Sequence, residues 1–286
     1  MHRVQTSQPC PELREFVRAF GLREMSLPGV RHQQSNVSCL EHTIAFDFGT
    51  RPSIVFGDGE MRLIPRVHYV GSQTSPSGFS TFTGNVHGFG IFLRPLAPWQ
   101  LFRIPLLALA NHDFDGTEVL GRSVYEVWLQ LAESKSFSEQ VRVAEAYLLP
   151  FARNAQLRTD IMRAAHYVFH HKGLIRIEKL AGQAGLSVRQ FERRFIEGIG
   201  LPPKLFARAT RFQMALDASS RFTTFRSGLE IAHEFGYFDQ AHMIREFSCS
   251  RRKSFISDRK AHRRHAARGA QAICRSLLFV SLKQTF

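Results

Sequence analysis

Hydrophobic residues change their spacing about a third of the way along this 286-residue chain. Before that point they form short runs, rich in β-branched and aromatic types, at 43–48, 53–56, 67–70, 79–82 and 89–93. Gly, Pro and Ser separate these runs, a pattern typical of an antiparallel sheet curled into a sandwich or barrel. Residues 11–20 have helical spacing and predict a short amphipathic helix. Beyond Leu96 the spacing predicts helices at 97–104, 119–131 and 137–149.

Residues 177–196 predict two short helices joined by a tight turn. Gly185 tolerates a positive φ, and Ser187 can cap the second helix. The spacing i, i+3, i+7 in that helix predicts a buried face made of Val188, Phe191 and Phe195. The opposite, solvent-facing side is made of Arg189, Glu192 and Arg193. A helix of small residues, a Gly turn and a second helix with a basic outer face are typical of DNA-binding helix-turn-helix units.

The same pattern returns at residues 230–247. Ala232 and Gly236 lie 51 residues after Ala181 and Gly185, and beyond the turn the offset becomes 52. The second turn is therefore one residue longer, with Asp239 as the predicted N-cap. A helix predicted from Pro203 to about Ser219 joins the units and spans about 25 Å. This length suits two recognition helices placed one DNA turn apart, about 34 Å, in successive major-groove segments.

The charge of the chain is concentrated in the half that holds this repeat. Residues 1–153 carry 14 Lys+Arg and 14 Asp+Glu, whereas residues 154–286 carry 24 Lys+Arg and 10 Asp+Glu. Such a division is typical of a polyanion-binding domain joined to a neutral one, and a solvated basic surface is the alternative. Residues 251–268 hold eight Lys+Arg and one acid, a tail that would add phosphate affinity without sequence information.

The first half shows no pattern of catalytic chemistry. Its histidines lack the His-x-His spacing of metal-binding barrels: His32, His42, His68, His87 and His112. A nucleophile elbow, a P-loop and a dinucleotide motif are also missing from the sequence, so we predict no enzyme, catalytic residue, cofactor or metal. A small-molecule pocket lined by phenylalanines 46, 48, 56, 82, 89 and 92 is one interpretation, and packing of these rings in the core is the other.

The scattered cysteines favour a reduced cytosol, and no apolar run reaches the ~18 residues of a membrane span. We therefore predict a cytoplasmic protein that makes no contact with a membrane.

The segments AGLSVRQFERRF, GLPPKLFARATRFQMAL and GYFDQAHMIREF, within residues 157–247, resemble the DNA-binding domain of AraC-type (AraC/XylS) transcription regulators. The resemblance implies that the second helix of each unit reads bases. In the first unit these residues are Arg189, Glu192 and Arg193, and in the second they are Gln240, Ala241, His242 and Arg245. Arg can donate twice to guanine, Gln can pair with adenine and Ala can touch a thymine methyl. The alternative for each residue is contact with phosphate or water alone.

The sequence departs from the family pattern after Phe247. Arg252 stands where the family has Gly, and Phe255 stands where it has Pro. A closing helix is therefore not predicted for the second unit.

The predicted fold class is α+β. A barrel- or sandwich-like domain with helices occupies residues 1–153, an all-α domain of two helix-turn-helix units joined by a long helix occupies 154–250, and the basic tail occupies 251–286. The predicted function is a sequence-specific DNA-binding transcription regulator, controlled by a ligand-sensing or dimerisation domain.

Its expected partners are double-stranded DNA, RNA polymerase and a small-molecule effector, for a nucleoid-associated monomer or homodimer. Two alternatives remain at this point. One is a non-specific nucleic-acid-binding protein that acts through its tail, and the other is a ligand-binding barrel protein with an accessory basic domain.

Overall fold

The chain begins with an antiparallel sheet and continues as helices, which confirms the α+β prediction. A computed structural model describes residues 2–36, 39–55, 60–73, 78–155, 160–221, 228–239 and 243. Four predicted site residues lie outside the described residues: Gln240, Ala241, His242 and Arg245. The predicted basic tail, 251–286, also lies outside them.

The described part of the first half forms one eight-stranded sheet. Its strands are β1 (His2–Ser7), β2 (Val17–Asn36), β3 (His42–Asp47), β4 (Ser53–Val55), β5 (Met61–Leu63), β6 (Val67–Val70), β7 (Gly78–Leu93) and β8 (Asp113–Asp115). The spatial order is β1-β2-β7-β3-β6-β8, with β4 paired to β5 and β7. The runs 79–82 and 89–93 thus belong to one long strand, because the chain passes through Gly84 at φ 63° without ending its pairing with β2.

The helix predicted at 11–20 is wrong. The chain forms a single 3₁₀ turn at Pro11–Leu13 and enters β2 at Val17. Val17 then pairs with Leu93 of β7, and Phe20 pairs with Ile91. Both side chains are fully buried by this pairing, so burial on the sheet overrides the helical spacing of the segment.

Helices follow β7, but the helix predicted at 119–131 is divided into two, since the chain turns at Gly121 with φ 81°. The helices are α1 (Ala97–Phe102), α2 (Leu106–Leu109), α3 (Gly116–Leu120), α4 (Ser123–Glu133), α5 (Phe137–Arg153), α6 (Asp160–His170), α7 (Ile177–Gln183), α8 (Val188–Ile199), α9 (Pro203–Arg221) and α10 (Gly228–Glu234). No described helix is both long enough and apolar enough to cross a membrane.

The first hydrophobic core lies between the sheet and the helices α4 and α5. Phe46 and Phe89 are at most 1% exposed, and their ring centroids lie 6.4 Å apart. Phe89 also contacts Phe137 of α5 at 6.1 Å. These phenylalanines are therefore packed in the core, which confirms the second of the two interpretations for them. Phe56 lies outside the described residues.

Two further cores hold the helical half. The larger one surrounds Phe191, Phe195 and Phe206, and it includes three residues of the first half: Leu40, Leu106 and Ala110. The other is made of Ala215, Ala232, Phe235, Tyr237 and Met243. Helix α9 contributes Phe206 to the larger core and Ala215 to the other, so this one helix holds both ends of the helical half in place.

Candidate nucleic-acid interface

A tight turn joins α7 to α8, and we call the loop before α7 (171–176), α7, this turn and α8 the first unit. Gly185 has φ 66°, as the sequence predicts. The backbone N–H of Leu186 donates to Ala181 at 3.0 Å, and that of Gly185 donates to Gly182 at 3.1 Å. These bonds satisfy carbonyls that the end of α7 leaves without a helical partner, and they fix the direction in which α8 leaves the turn.

The start of α8 is closed by a capping box. The Ser187 hydroxyl accepts from the backbone N–H of Gln190, and the Gln190 side chain accepts from the backbone N–H of Ser187 at 3.1 Å. Ser187 is thus the N-cap that the sequence predicts. A cap of this kind stabilises a helix by about 1 kcal/mol.

Helix α8 has one buried face. Phe191, Phe195 and Ile199 are each at most 4% exposed and pack against α6, α7 and α9. The prediction that Val188 shares this face is wrong, since Val188 is 37% exposed. Val188 is the first residue of α8, so its side chain lies at the end of the helix, outside the core that buries Phe191 and Phe195.

The outer face of α8 carries the predicted site residues. Arg189 and Arg193 are exposed, and Glu192 is half-buried at the flank of the helix. Arg193 Nε lies 3.9 Å from Glu197 Oε1, and both side chains are more than 60% exposed. Such an exposed pair contributes little free energy, so it does not prevent the Arg193 guanidinium from binding elsewhere.

Exposed cations also lie on α7 and α9, the helices that contact α8 on either side in the sequence. Arg176 and Lys179 lie at the start of α7, and Lys204 and Arg208 lie on α9. The sequence interpretation missed all four, although their charges are visible in it. The sequence pattern predicts base contacts on the second helix of each unit only, whereas residues that contact phosphates can lie on any nearby surface.

The second unit consists of α10, its turn and Met243, and its described backbone repeats the first. Gly236 has φ 68°, and the N–H of Tyr237 donates to Ala232 at 2.8 Å. The N–H of Met243 donates to Asp239 at 3.1 Å, as Phe191 donates to Ser187 at 2.9 Å. Asp239 therefore stands at the N-cap position that the sequence predicts. Met243 is 8% exposed, as expected for the residue that corresponds to the buried Phe191 in the repeat.

Side chains link the two units directly. Lys172, in the loop between α6 and α7, places Nζ 2.8 Å from Glu234 Oε1 of α10. The same ammonium lies 5.1 Å from the ring centroid of Phe235. A Cβ on Gly236 would lie 2.5 Å from Leu174 Cδ2, so the second turn rests closely on the loop of the first unit. Sequence reasoning missed this contact because its partners lie 62 residues apart.

The first unit also contacts the first half of the chain. Leu106 of α2 is 2% exposed and lies in the same core as Phe195 and Ile199. The end of α8 meets α2 at Gly200, which has φ 81°. A Cβ there would lie 2.5 Å from the backbone nitrogen of Leu107. A change in the position of α2 would therefore move the end of α8.

Two opposite charges lie on neighbouring positions of the sheet, one buried and the other half-buried. Arg23 and Asp47 both pair in register with Gly88 of β7, which lacks a side chain, so the two groups share one face. Burial lowers the pKa of Arg23 to about 10, and the Asp47 charge opposes this. Burial raises the pKa of Asp47 to about 7, and the positive charges of Arg23, Arg51 and Arg66 act in the opposite direction by lowering it. Arg23 also donates to Gln34 Oε1 at 3.0 Å and lies 5.1 Å from the ring centroid of Phe82.

Two histidines of the first half are buried as neutral groups. His42 Nδ1 lies 3.2 Å from the Tyr69 hydroxyl, and burial lowers the pKa of His42 to about 3. Burial also lowers the pKa of His68 to about 4. Within the described ranges, no three His, Cys, Asp or Glu side chains come together in a way that could hold a metal ion.

Comparisons with known proteins add the following. A family model described as "Domain of unknown function (DUF6597)" matches residues 5–115, which span the sheet and the helices α1 and α2. No curated protein matches the chain.

Several solved structures have a similar arrangement. ToxT from Vibrio cholerae O395 is 12% identical, with 86% of this chain and 93% of ToxT covered and a TM-score of 0.44. An apo ToxT variant from Vibrio cholerae strain SCE256 is 11% identical, with 85% and 94% covered and a TM-score of 0.48. The AraC-like transcriptional activator CuxR is 14% identical, with 74% and 86% covered and a TM-score of 0.30.

Proposed function

We propose that this chain is a sequence-specific DNA-binding transcription regulator, as its resemblance to AraC-type regulators implies. Its two units act as helix-turn-helix units that read adjacent segments of the major groove. The first half, residues 1–153, controls them as a ligand-sensing or dimerisation domain.

The repeated turn is the observation that carries this proposal. Gly185 and Gly236 have nearly the same φ, and each turn is followed by the same backbone bond to an alanine five residues earlier. In the first unit this turn leads to a helix whose apolar face is buried and whose outer face carries Arg189 and Arg193. A recognition helix needs these same properties, because one face holds it to its domain while the other enters the groove.

The spacing of the units supports the reading of adjacent segments. Helix α9 has 19 residues and therefore spans about 28 Å. Its ends pack into the two cores of the helical half, so each unit is held near one end. A helical turn of DNA rises about 34 Å, a distance that the second helices of two such units can match on one face of the duplex.

Arginine chemistry gives the expected contacts. We assign base reading in the first unit to Arg193 and Arg189, which can each donate two hydrogen bonds to guanine, and to Glu192, which can accept one from cytosine. In the second unit we assign it to Gln240, Ala241, His242 and Arg245. Arg176, Lys179 and Lys204 would contact phosphates, positioning the protein without specifying sequence.

Selection of bound duplexes from a random pool tests this proposal. The full chain and a variant ending at residue 250 would be selected side by side at physiological salt. We expect both to enrich one motif with two half-sites about one helical turn apart. If both proteins bind every duplex with the same affinity, the proposal of a sequence-specific regulator is wrong.

The two alternatives give different results in the same experiment. Loss of all DNA binding in the shortened variant would favour a non-specific protein that acts through its tail. Absence of DNA binding in both proteins, together with capture of a small molecule by the first half, would favour a ligand-binding protein with an accessory basic domain.

A further inference from the structure

Helix α6 carries two histidines one turn apart at its surface. They are His166 and His170, and the i, i+4 spacing places their side chains on one face of the helix. Their ring centroids lie 4.2 Å apart, and their Nε2 atoms lie 2.6 Å apart. The two imidazoles therefore converge on one point through the same nitrogen.

We propose that His166 and His170 form a bidentate site for a divalent transition-metal ion such as Zn²⁺, Ni²⁺ or Cu²⁺. Histidine pairs at i, i+4 on a helix supply two ligands of the zinc site in the H-E-x-x-H motif, so this spacing matches a single ion. This pair lies outside the histidines of the first half, for which the sequence predicts no metal site. This inference does not depend on the proposed DNA-binding function.

The geometry needs little adjustment to accept an ion. With metal–nitrogen bonds of about 2.0–2.1 Å, two neighbouring ligands on one ion have nitrogens about 3.0–3.4 Å apart. The Nε2 atoms would separate by less than about 1 Å, which a small rotation of each ring supplies. His170 is exposed and His166 is half-buried, so water can fill the remaining coordination positions.

The ligand type determines which ions fit. Imidazole nitrogen binds Zn²⁺, Ni²⁺ and Cu²⁺ well, whereas Mg²⁺ and Ca²⁺ prefer oxygen ligands. Affinity for a nitrogen site rises from Ni²⁺ to Cu²⁺ and falls again at Zn²⁺. The site would therefore distinguish transition metals from the abundant hard cations.

Binding would act on a helix that supports α8. The buried side of α6 carries Ile161, Ala165 and Val168, which lie in one core with Phe191 and Phe195. An ion held by the last turn of α6 binds the folded helix and not the unfolded chain, because only the helix brings the two rings together. It would thus stabilise the core under the outer face of α8.

Calorimetric titration of the full chain with Ni²⁺ tests the site. We expect His166→Asn and His170→Asn each to weaken Ni²⁺ binding by about tenfold or more, because each change removes one of two linked ligands. His171→Asn is the matched control. His171 is the next residue along, but its ring stacks on Tyr167 at 3.8 Å and its Nδ1 lies 2.9 Å from the Tyr167 carbonyl. This control should bind Ni²⁺ as the unchanged chain does.

A second measurement covers the case in which other histidines bind the ion. Thermal unfolding would be followed with Ni²⁺ and with Ca²⁺ for the unchanged chain and for the double variant. An upward shift of the unfolding midpoint with Ni²⁺ alone, absent from the double variant, supports the site. Equal Ni²⁺ affinity in the unchanged chain and the double variant would overturn it, as would the lack of any Ni²⁺ binding.

Discussion

The two units of the helical half share a turn but are held in place by different neighbours. Gly185 and Gly236 have φ values of 66° and 68°. The turn bonds from Leu186 to Ala181 and from Tyr237 to Ala232 measure 3.0 and 2.8 Å. The backbone around the two glycines is thus nearly the same in both units, although the second turn is one residue longer.

The contacts around the turns differ. The first unit packs on α2 of the first half, through Leu106 and the backbone next to Gly200. The second unit packs on the first, through Lys172 and Leu174. The first unit is therefore held in place by the first half of the chain, and the second unit is held in place by the first unit. Short-range sequence determines the turn, and distant residues determine how much a change in it disturbs the protein.

The largest expected effect comes from Gly200→Ala. Alanine at φ 81° is strained, and its Cβ would meet the backbone of Leu106 and Leu107 at 2.5–2.7 Å. Strain and overpacking together should lower the free energy of unfolding by about 4 kcal/mol, as measured by urea denaturation.

Two other glycines serve as controls for this change. Gly185→Ala has comparable φ strain, but no described atom lies within 4 Å of its new Cβ, so we expect a loss of about 1 kcal/mol. Gly236→Ala should fall between, since the new Cβ meets only the movable end of the Leu174 side chain. Equal losses at all three positions would show that the contact with α2 contributes nothing.

A second test removes the contact from the side of the first half. Leu106→Ala deletes a side chain that is 2% exposed and should lower the free energy of unfolding by about 3 kcal/mol. It should also weaken DNA binding in an electrophoretic shift assay, although α2 lies far along the chain from α8. Leu107→Ala is the matched control, because Leu107 is 54% exposed and its loss should change neither quantity. Unchanged DNA affinity in Leu106→Ala would mean that the first half does not support α8.

The outer face of α8 gives the third test. Arg193→Ala should reduce the preference at one base pair by about 1–3 kcal/mol, since it removes two hydrogen bonds to a base edge. Arg194 is also exposed but lies on another side of the helix, so Arg194→Ala should weaken binding to all sequences alike. Affinities for a set of single-base variants of the selected site would separate the two results. If Arg193→Ala also weakens every sequence alike, Arg193 contacts phosphate rather than a base.

Sequence alone predicted the parts of this fold that depend on local chemistry. The positive φ of Gly185, the cap at Ser187 and the buried Phe191 and Phe195 follow from residue type and helical spacing, and the structure confirms each. The position of Asp239 in the longer second turn is confirmed in the same way. Each of these features involves residues within about one or two helical turns of one another.

Features that depend on distant pairing could not be predicted. The segment 11–20 has helical spacing, yet Val17 and Phe20 pair with β7, more than 70 residues away. The runs 79–82 and 89–93 look separate in the sequence, but pairing with β2 makes them one strand. The contact of α2 with α8 has no signal in the sequence either, because Leu106 is only one more apolar residue among helical neighbours.

The smallest expected effect concerns the contact between the units. The side chains of Lys172 and Glu234 are 43% and 30% exposed, so solvent weakens their attraction. A double-mutant cycle in urea should therefore give a coupling free energy of about 0.5 kcal/mol.

The effect of this ion pair on DNA binding should be clearer than its effect on stability. The pair holds α10 against the loop after α6, and under the proposed function this contact sets the distance between the two units. Lys172→Ala should therefore tolerate an extra base pair between the half-sites better than the unchanged chain does, whereas Lys179→Ala, at an exposed cation of α7, should weaken binding at both spacings equally. The same spacing preference in Lys172→Ala and the unchanged chain would show that α9 alone sets the distance.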